Sequence, residues 1–173
     1  MWRRQNGGYR MTKEGHFARL KCGVEQWNAF RREFAESMVL NSASLAGAEL
    51  AGVDLHRILL MESDFRGANL KCAILERTIL RHSNFRGSDL QDAILDGADL
   101  FRADLSGADL RGASLVSAFL KRANLTGADL STARGLTAAQ ISEAQGDDHT
   151  KLPAGLARPA TWHTALGVNG AGR

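Results

Sequence analysis

Side chains that could support acid–base or metal chemistry are scattered along this sequence rather than gathered into a motif. Five histidines are present, and His56 and His82 have no second ligand at the spacing that a metal site requires. The sequence contains no phosphate-binding glycine loop and no serine on a strand–turn–helix elbow. We therefore expect a protein that is not an enzyme and that binds no cofactor and no metal.

A second candidate for chemistry is a set of aspartates that recur at multiples of five residues. Such a set could suggest paired carboxylates for acid–base catalysis, or a calcium site. Because each carboxylate occupies the same position of a regular repeat, a structural role is the simpler interpretation, in which it accepts hydrogen bonds from amides of the following turn. The residues concerned are Asp99, Asp104, Asp109 and Asp129.

The cysteines and the first residues of the chain bear on its location. Cys22 and Cys72 are too few for a disulfide framework, so we expect free thiols in a reducing compartment. The first residues include arginines but no apolar segment behind them, and no stretch reaches the ~18 apolar residues of a membrane span. These features favour a cytoplasmic protein that does not contact a membrane.

The most informative pattern is a five-residue period. Every fifth residue from Leu40 to Leu130 is Leu or Phe, and a small or apolar residue stands two positions before each. A period of five fits neither an α-helix, at ~3.6 residues per turn, nor a strand, at ~2. It predicts a solenoid in which the chain turns a corner every five residues, so that four corners close one square coil of about twenty residues.

Within each five-residue unit, the central Leu or Phe and the residue two before it are expected to point inward. The residue just before the centre and the two after it are expected to point outward. The second residue after the centre is often glycine, which favours a corner with a positive φ. These glycines are Gly47, Gly52, Gly67, Gly87, Gly97, Gly107, Gly112 and Gly127.

The flanks of the repeat predict helical caps, because a solenoid has open ends that must be covered. Residues 1–15 have no periodicity and are expected to be disordered. Residues 16–36 carry an apolar stripe at helical spacing and predict an N-terminal capping helix; the stripe consists of Leu20, Val24, Trp27, Phe30 and Phe34.

The C-terminal flank predicts a second capping helix over residues 135–146. Thr137 and Gln140 form a capping box, Leu136 and Ile141 stand at staple positions, and Gly146 is expected to end the helix. Residues 147–173 are expected to form an extended tail.

The repeat at residues 37–134 matches a known sequence motif. Residues 103–112 read ADLSGADLRG and residues 123–130 read ANLTGADL, which resemble the A(D/N)LXX motif of pentapeptide-repeat proteins. The resemblance covers residues 38–134. It implies an all-β solenoid, namely a right-handed quadrilateral β-helix, here of nearly five coils with α-helical caps at both ends.

Two adjacent sides of the square abandon the polar residues of the repeat for apolar ones at twenty-residue intervals. Contiguous exposed apolar patches usually mark an interface, so we expect this surface to bind a protein partner or a second copy of the chain. Two alternatives stay open: the protein's own tail or N-terminal helix covers the surface, or the pattern has no meaning. The candidate residues are Leu59, Met61, Ile74, Ile79, Ile94, Phe101 and Phe119.

The resemblance also implies a second function, because some members of the family mimic DNA and modulate type II topoisomerases such as gyrase. Those members are strongly acidic, whereas this chain has a net charge of +3 and a nearly neutral repeat. Residues 1–39 carry eight Lys or Arg against four Asp or Glu, which leaves nucleic-acid recruitment by this segment as a further alternative. A protein partner remains our expectation, with neither nucleic acid nor a membrane.

Overall fold

Parallel backbone pairing at a nearly constant interval of twenty residues organises the repeat. The computed structural model describes residues 2–5, 8–34 and 38–162, with side chains from Thr12 onward. Val39 pairs with Leu59, Leu59 with Ile79, and the other rows repeat this step. The chain therefore winds in stacked coils, each of which satisfies the backbone groups of the next. Five coils run through residues 38–134, in agreement with the predicted solenoid.

The coils have four sides, which we number by the outward residue that precedes each centre. The first side carries Ser44, Asp64, Asn84, Asp104 and Asn124; the second Glu49, Asn69, Asp89, Asp109 and Asp129; the third Asp54, Ile74, Ile94, Ser114 and Arg134; the fourth Val39, Leu59, Ile79, Asp99 and Phe119. Each of these residues forms isolated β-bridges to the neighbouring coils and does not belong to a continuous strand. A turn after every centre interrupts the pairing, so the repeat consists of β-bridges and turns.

The interior is one unbroken apolar column. The central residues are buried throughout the repeat, and Leu95 and Leu100 are 0% exposed. Phe65 and Phe85 stack inside the column with ring centroids 4.7 Å apart. Inward hydroxyls are satisfied by the backbone, since Thr78 Oγ1 donates to the carbonyl oxygen of Leu55 at 2.7 Å. The predicted inward and outward positions are confirmed.

The corners adopt the predicted backbone conformation. All eight glycines at the second position after the centre have positive φ, from Gly67 at 61° to Gly112 at 72°. Ten residues other than glycine adopt the same left-handed conformation, Arg102 at 55° among them. A side chain at such a position carries a steric cost of roughly 1–2 kcal/mol, which glycine avoids.

The N-terminal segment differs from the predicted disordered stretch and single helix. Strands β1 (Trp2–Gln5) and β2 (Gly8–Met11) form an antiparallel hairpin, and an Asn-Gly dipeptide, a frequent hairpin-turn sequence, lies between them. Helix α1 (Lys13–Lys21) and helix α2 (Val24–Glu33) follow. The helix predicted over residues 16–36 is broken at Gly23. The φ of Gly23 is 119°, which lies outside the helical region and is rarely adopted by residues other than glycine.

Helix α2 caps the third side of the first coil by imitating the backbone of a preceding coil. Trp27 Nε1 donates to the carbonyl oxygen of Asp54 at 2.6 Å. Asn28 accepts from the Asp54 amide and donates to the Gly52 carbonyl, both at 2.8 Å. Arg31 Nη2 donates to the carbonyl oxygen of His56 at 2.8 Å. Side chains of one helix thus bind the exposed ladder groups, while Trp27 itself is fully buried.

The C-terminal segment continues the coil beyond the repeat. Helix α3 (Ala138–Ser142) starts with the predicted capping box, but it ends before Gly146. Gln145 then pairs with Asn124 and Lys151 with Asp129, which extends the first and second sides by one step. The described part of the predicted extended tail, residues 147–162, is therefore folded onto the solenoid, and residues 163–173 lie outside the described residues.

Gly146 has a packing role that differs from the predicted helix end. A Cβ at this position would stand 2.5 Å from the ring of Trp162. Trp162 is 2% exposed, and its Nε1 donates to the carbonyl oxygen of Ala144 at 3.0 Å. This indole belongs to a 3-10 helix, Ala160–Trp162, and closes the C-terminal end of the solenoid.

Truncation of an interior residue should destabilise the fold far more than truncation of its outward neighbour. Leu95→Ala deletes buried volume from the column and should lower the free energy of unfolding by about 2–5 kcal/mol. Ile94→Ala, at a side chain that is 38% exposed, should lower it by only about 1 kcal/mol. Urea denaturation of both variants measures the difference, and equal losses would contradict the assigned interior.

Acid should weaken the C-terminal cap through Asp147. Burial raises the pKa of this carboxyl, but hydrogen bonds from the Gly127 amide, the Thr150 hydroxyl and His149 outweigh it and lower the pKa to about 2. A depressed folded-state pKa contributes stability above the unfolded value of about 3.9, and this stability is lost as the pH falls toward 2. Melting temperatures of wild type and Asp147→Asn should therefore converge between pH 4 and pH 2. A constant difference across this range would show that the charge has no role.

Candidate functional site

The predicted apolar surface contains a stacked aliphatic ladder in the second and third coils. Leu59 pairs directly with Ile79 on the fourth side, and Ile74 with Ile94 on the third. Ladder pairing holds such rows ~4.8 Å apart, close enough for continuous side-chain contact. Ile94 is 38% exposed and the other three are half-buried by their neighbours. These four residues form one patch across two adjacent sides, which we call the aliphatic patch.

An aromatic pair lies further along the fourth side. The rings of Phe101 and Phe119 are nearly parallel, with centroids 6.2 Å apart, and Phe119 is 42% exposed. Arg102 covers Phe101 with its guanidinium carbon 5.3 Å from the ring centroid, and His82 meets the same ring edge-on at 5.8 Å. Both contacts are typical of cation–π and aromatic geometry. We call Phe101 and Phe119 the aromatic pair.

An ion pair separates the two patches, so the candidate residues do not form one continuous stripe. Asp99 stands between Ile79 and Phe119 on the fourth side, and it accepts a hydrogen bond from Arg81 Nε at 2.6 Å. Arg81 likewise stands between Met61 and Phe101 in the neighbouring row. Met61 is half-buried beside the aliphatic patch. The surface is therefore apolar at both ends and charged in the middle.

The described parts of the two flanks bind at the two ends of the solenoid. Helix α2 bonds to the first coil on the third side. In the last coil, Gln140 Nε2 of α3 donates to the carbonyl oxygens of Leu115 and Ala118, both at 2.9 Å, and Gln145 and Lys151 extend the first and second sides. The apolar surface itself keeps substantial exposure, including 49% at Val39 and 48% at Val116. These two valines enlarge the candidate surface and were missing from the sequence-based set. Val116 directly follows a centre, a position at which an apolar residue could have indicated it.

The first and second sides carry most of the aspartates of the repeat position before each centre, and these aspartates bond to the backbone. Asp104 Oδ1 accepts from the Ser106 amide at 3.0 Å and Asp129 Oδ1 from the Ser131 amide at 3.0 Å, as predicted for the repeat. The guanidinium of Arg66 lowers the pKa of Asp64, and that of Arg111 lowers the pKa of Asp109. Ion pairs at 2.7 and 2.5 Å therefore neutralise part of these acidic rows.

One cluster of titratable groups, at His56, Asp54 and Arg31, serves the N-terminal cap. His56 Nδ1 lies 2.6 Å from Asp54 Oδ1, and the Arg31 guanidinium contacts the same imidazole at 3.3 Å. Burial lowers the pKa of Arg31, although the Asp54 carboxylate acts in the opposite direction. All three residues stand at the junction of α2 with the first coil, which gives them a structural explanation.

Candidate metal ligands do not cluster among the described residues. Across residues 12–34 and 38–162, histidine, cysteine and carboxylate side chains form no group of three that could hold a metal ion. Both cysteines, Cys22 and Cys72, are free and exposed. Within the described part of the chain, no helix has the length and apolar character needed to cross a membrane.

Comparison with known proteins identifies the repeat. A family model described as pentapeptide repeats matches eight copies over residues 39–77, 58–97, 68–107 and 103–134, which together span more than half of the 173 residues. No curated protein sequence matches the chain.

Solved structures of repeat proteins resemble the fold. A pentapeptide repeat protein from the Arabidopsis thaliana thylakoid lumen is 24% identical with a TM-score of 0.60, over 68% of this chain and 81% of that one. Rfr23 from the cyanobacterium Cyanothece 51142 is 29% identical with a TM-score of 0.49, over 72% and 97%. HetL from the cyanobacterium Nostoc is 27% identical with a TM-score of 0.32, over 69% and 60%. The chain belongs to the pentapeptide-repeat family.

Proposed function

We propose that this protein is a non-enzymatic interaction scaffold, which presents its third and fourth sides to a protein partner or to a second copy of the chain. The observation that carries this proposal is the exposure of large apolar side chains on a surface where the repeat otherwise has Asp or Asn. Ile94 and Phe119 are 38% and 42% exposed, and the contacts described for both flanks lie at the two ends of the solenoid and leave these side chains exposed. Exposed apolar patches of this kind usually mark interfaces.

The architecture supports a scaffold because the surface needs no reorganisation before it binds. Each outward residue is fixed by backbone bonds to a neighbouring coil, as at Ile79, whose amide donates to the Ile58 carbonyl and whose carbonyl accepts from the Leu60 amide. A surface that is already ordered loses little conformational entropy on association. Pentapeptide-repeat proteins fold as right-handed quadrilateral β-helices, which have this rigidity along their whole length.

The alternative function, mimicry of DNA toward gyrase, has weaker physical support. A DNA mimic needs rows of uncompensated negative charge, but Asp64, Asp109 and Asp129 are each paired with a cation. The net charge of the chain is +3. The polar sides therefore lack the electrostatic potential that a duplex presents.

Acidic substitutions on the apolar surface should abolish association without unfolding the protein. Ile79→Asp with Phe119→Asp places charge at both patches, and desolvating these carboxylates in an interface is unfavourable. We expect an oligomer to fall to monomer mass in light scattering, or specifically captured proteins to disappear from an affinity pull-down.

The matched control adds the same charges to the polar first side of the same two coils, with Asn84→Asp and Asn124→Asp. This variant should keep the wild-type mass and partners, and circular dichroism should show both variants folded. If the two variants behave alike, the apolar surface is not the interface.

We expect no effect of the protein on DNA supercoiling by gyrase, because Arg66, Arg111 and Lys151 neutralise part of its acidic rows. A supercoiling assay with titrated protein measures this directly. Inhibition of supercoiling, or protection of gyrase from a fluoroquinolone, would favour the DNA-mimic function instead.

A further inference from the structure

One corner of the solenoid carries side chains where the adjacent corner carries glycine. Between the first and second sides, the left-handed corner position is Gly in all five coils, from Gly47 to Gly127. Between the fourth and first sides, the same position is never Gly: it is Ser42, Glu62, His82, Arg102 and Arg122, with φ between 55° and 59°. Side chains are therefore kept at this corner in every coil although the left-handed backbone conformation is strained for them.

The side chains at this corner become cationic in the last three coils. The two outward positions are Asn41 and Ser42 in the first coil, and Met61 and Glu62 in the second. In the third, fourth and fifth coils the same positions carry mostly cationic residues, which lie in stacked rows beside Phe119. That set, which we call the cationic corner, is Arg81, His82, Phe101, Arg102, Lys121 and Arg122.

Only part of this positive charge is paired with carboxylates of the chain itself. Arg81 pairs with Asp99 at 2.6 Å, and Lys121 lies 3.6 Å from Glu143. Arg102 and Arg122 form no ion pair with any of the described residues, and both are exposed. Arg102 and Arg122 occupy the same position in neighbouring coils, so their positive charges add at one corner and favour an anionic ligand.

We propose that the partner contacts this surface with an acidic amphipathic segment, whose apolar residues cover the aliphatic patch and the aromatic pair while its carboxylates bind the cationic corner. This inference rests on the proposed function and specifies the chemistry of the partner. Charge complementarity of this kind sets specificity and association rate.

The same charges argue against a second copy as the occupant. If two copies paired through their fourth sides about a twofold axis, the cationic corner of one copy would meet one of two surfaces of the other copy. It would meet either the cationic corner or the opposite rim, which is the corner between the third and fourth sides. That opposite rim carries Arg57 and Arg77 together with Glu76 and Asp96, and Glu76 pairs with Arg77 at 3.7 Å. The first arrangement brings like charges together and the second offers no net negative charge, so a second copy complements the cationic corner less well than an acidic segment does.

Nucleic acid is also disfavoured as the occupant, because bases bind by stacking on open aromatic faces. Arg102 lies over the ring of Phe101, and Phe119 stacks beside it at 6.2 Å. The adjoining aliphatic patch offers no stacking surface at all. An apolar protein segment fits both groups.

A test uses the full-length protein and three fluorescent probes in anisotropy titrations. The first probe is a synthetic amphipathic helix of about 14–16 residues, long enough for five coils at ~4.8 Å each, with Leu on one face and Glu on the other. The second has Lys in place of Glu, and the third is a single-stranded oligo-dT. We expect the Glu peptide to bind, with an affinity that falls as salt rises, and the other two to bind at least tenfold more weakly.

Glycine substitutions separate recognition from stability. Arg102→Gly with Arg122→Gly removes two exposed charge contacts and should weaken binding of the Glu peptide by roughly three- to tenfold. Because glycine tolerates the left-handed conformation, the melting temperature should stay the same or rise. Ser117→Gly is the matched control: Ser117 has φ 55° and an uncharged side chain, and its replacement should leave binding unchanged.

The outcomes distinguish this inference from the proposed function. If Ile79→Asp with Phe119→Asp abolishes binding but the glycine variant binds the Glu peptide as wild type does, the acidic partner is wrong and the apolar interface stands. Tighter binding of the Lys peptide or the oligonucleotide, or no binding of the Glu peptide, would likewise overturn the acidic partner. A lower melting temperature for the glycine variant would assign the two arginines a structural role instead.

Discussion

The structure depends on the stacking of coils whose four inner sides each supply one Leu or Phe to a common column. Backbone amides and carbonyls bond to the coils above and below, as where the Leu95 amide donates to the Ser114 carbonyl at 2.8 Å. These bonds keep successive coils in register, and the buried side chains keep them in contact. Every other property of the molecule follows from this arrangement, including the rows in which outward residues meet.

A continuous core of this kind separates stability from surface chemistry. Because the column and the ladder hold the fold, outward residues can vary without loss of the architecture. The first and second sides keep the Asp and Asn residues that stabilise the turns through their side-chain oxygens. The third and fourth sides replace several of them with Ile, Leu and Phe, which do not form such bonds. This replacement gives up local turn stabilisation and creates an exposed apolar surface, which is why we assign the function to it.

The ends of the solenoid are closed by segments outside the repeat, and the sequence predicted these segments less completely than the repeat itself. The capping box at Thr137 and the buried positions of Leu20, Trp27 and Phe30 were predictable, because they rest on local spacing. The hairpin at the N-terminus, the break at Gly23 and the contact between Gly146 and Trp162 were not predicted. The use of Asn28 as a backbone mimic was not predictable either, since its partners, Gly52 and Asp54, lie more than twenty residues away.

The sequence alone determined the five-residue period, and with it the square coil, the inward column and the turn position that favours glycine. It could do so because each unit solves the same local problem, so one short pattern repeated many times specifies the whole repeat. Tertiary structure alone decided how the ends close and which outward residues touch. The ion pair of Arg81 with Asp99 divides the apolar surface into two patches, and the rings of Phe101 and Phe119 stack across neighbouring coils. These contacts join residues eighteen positions apart, and side-chain conformations in the stacked coils determine them, which no five-residue pattern encodes.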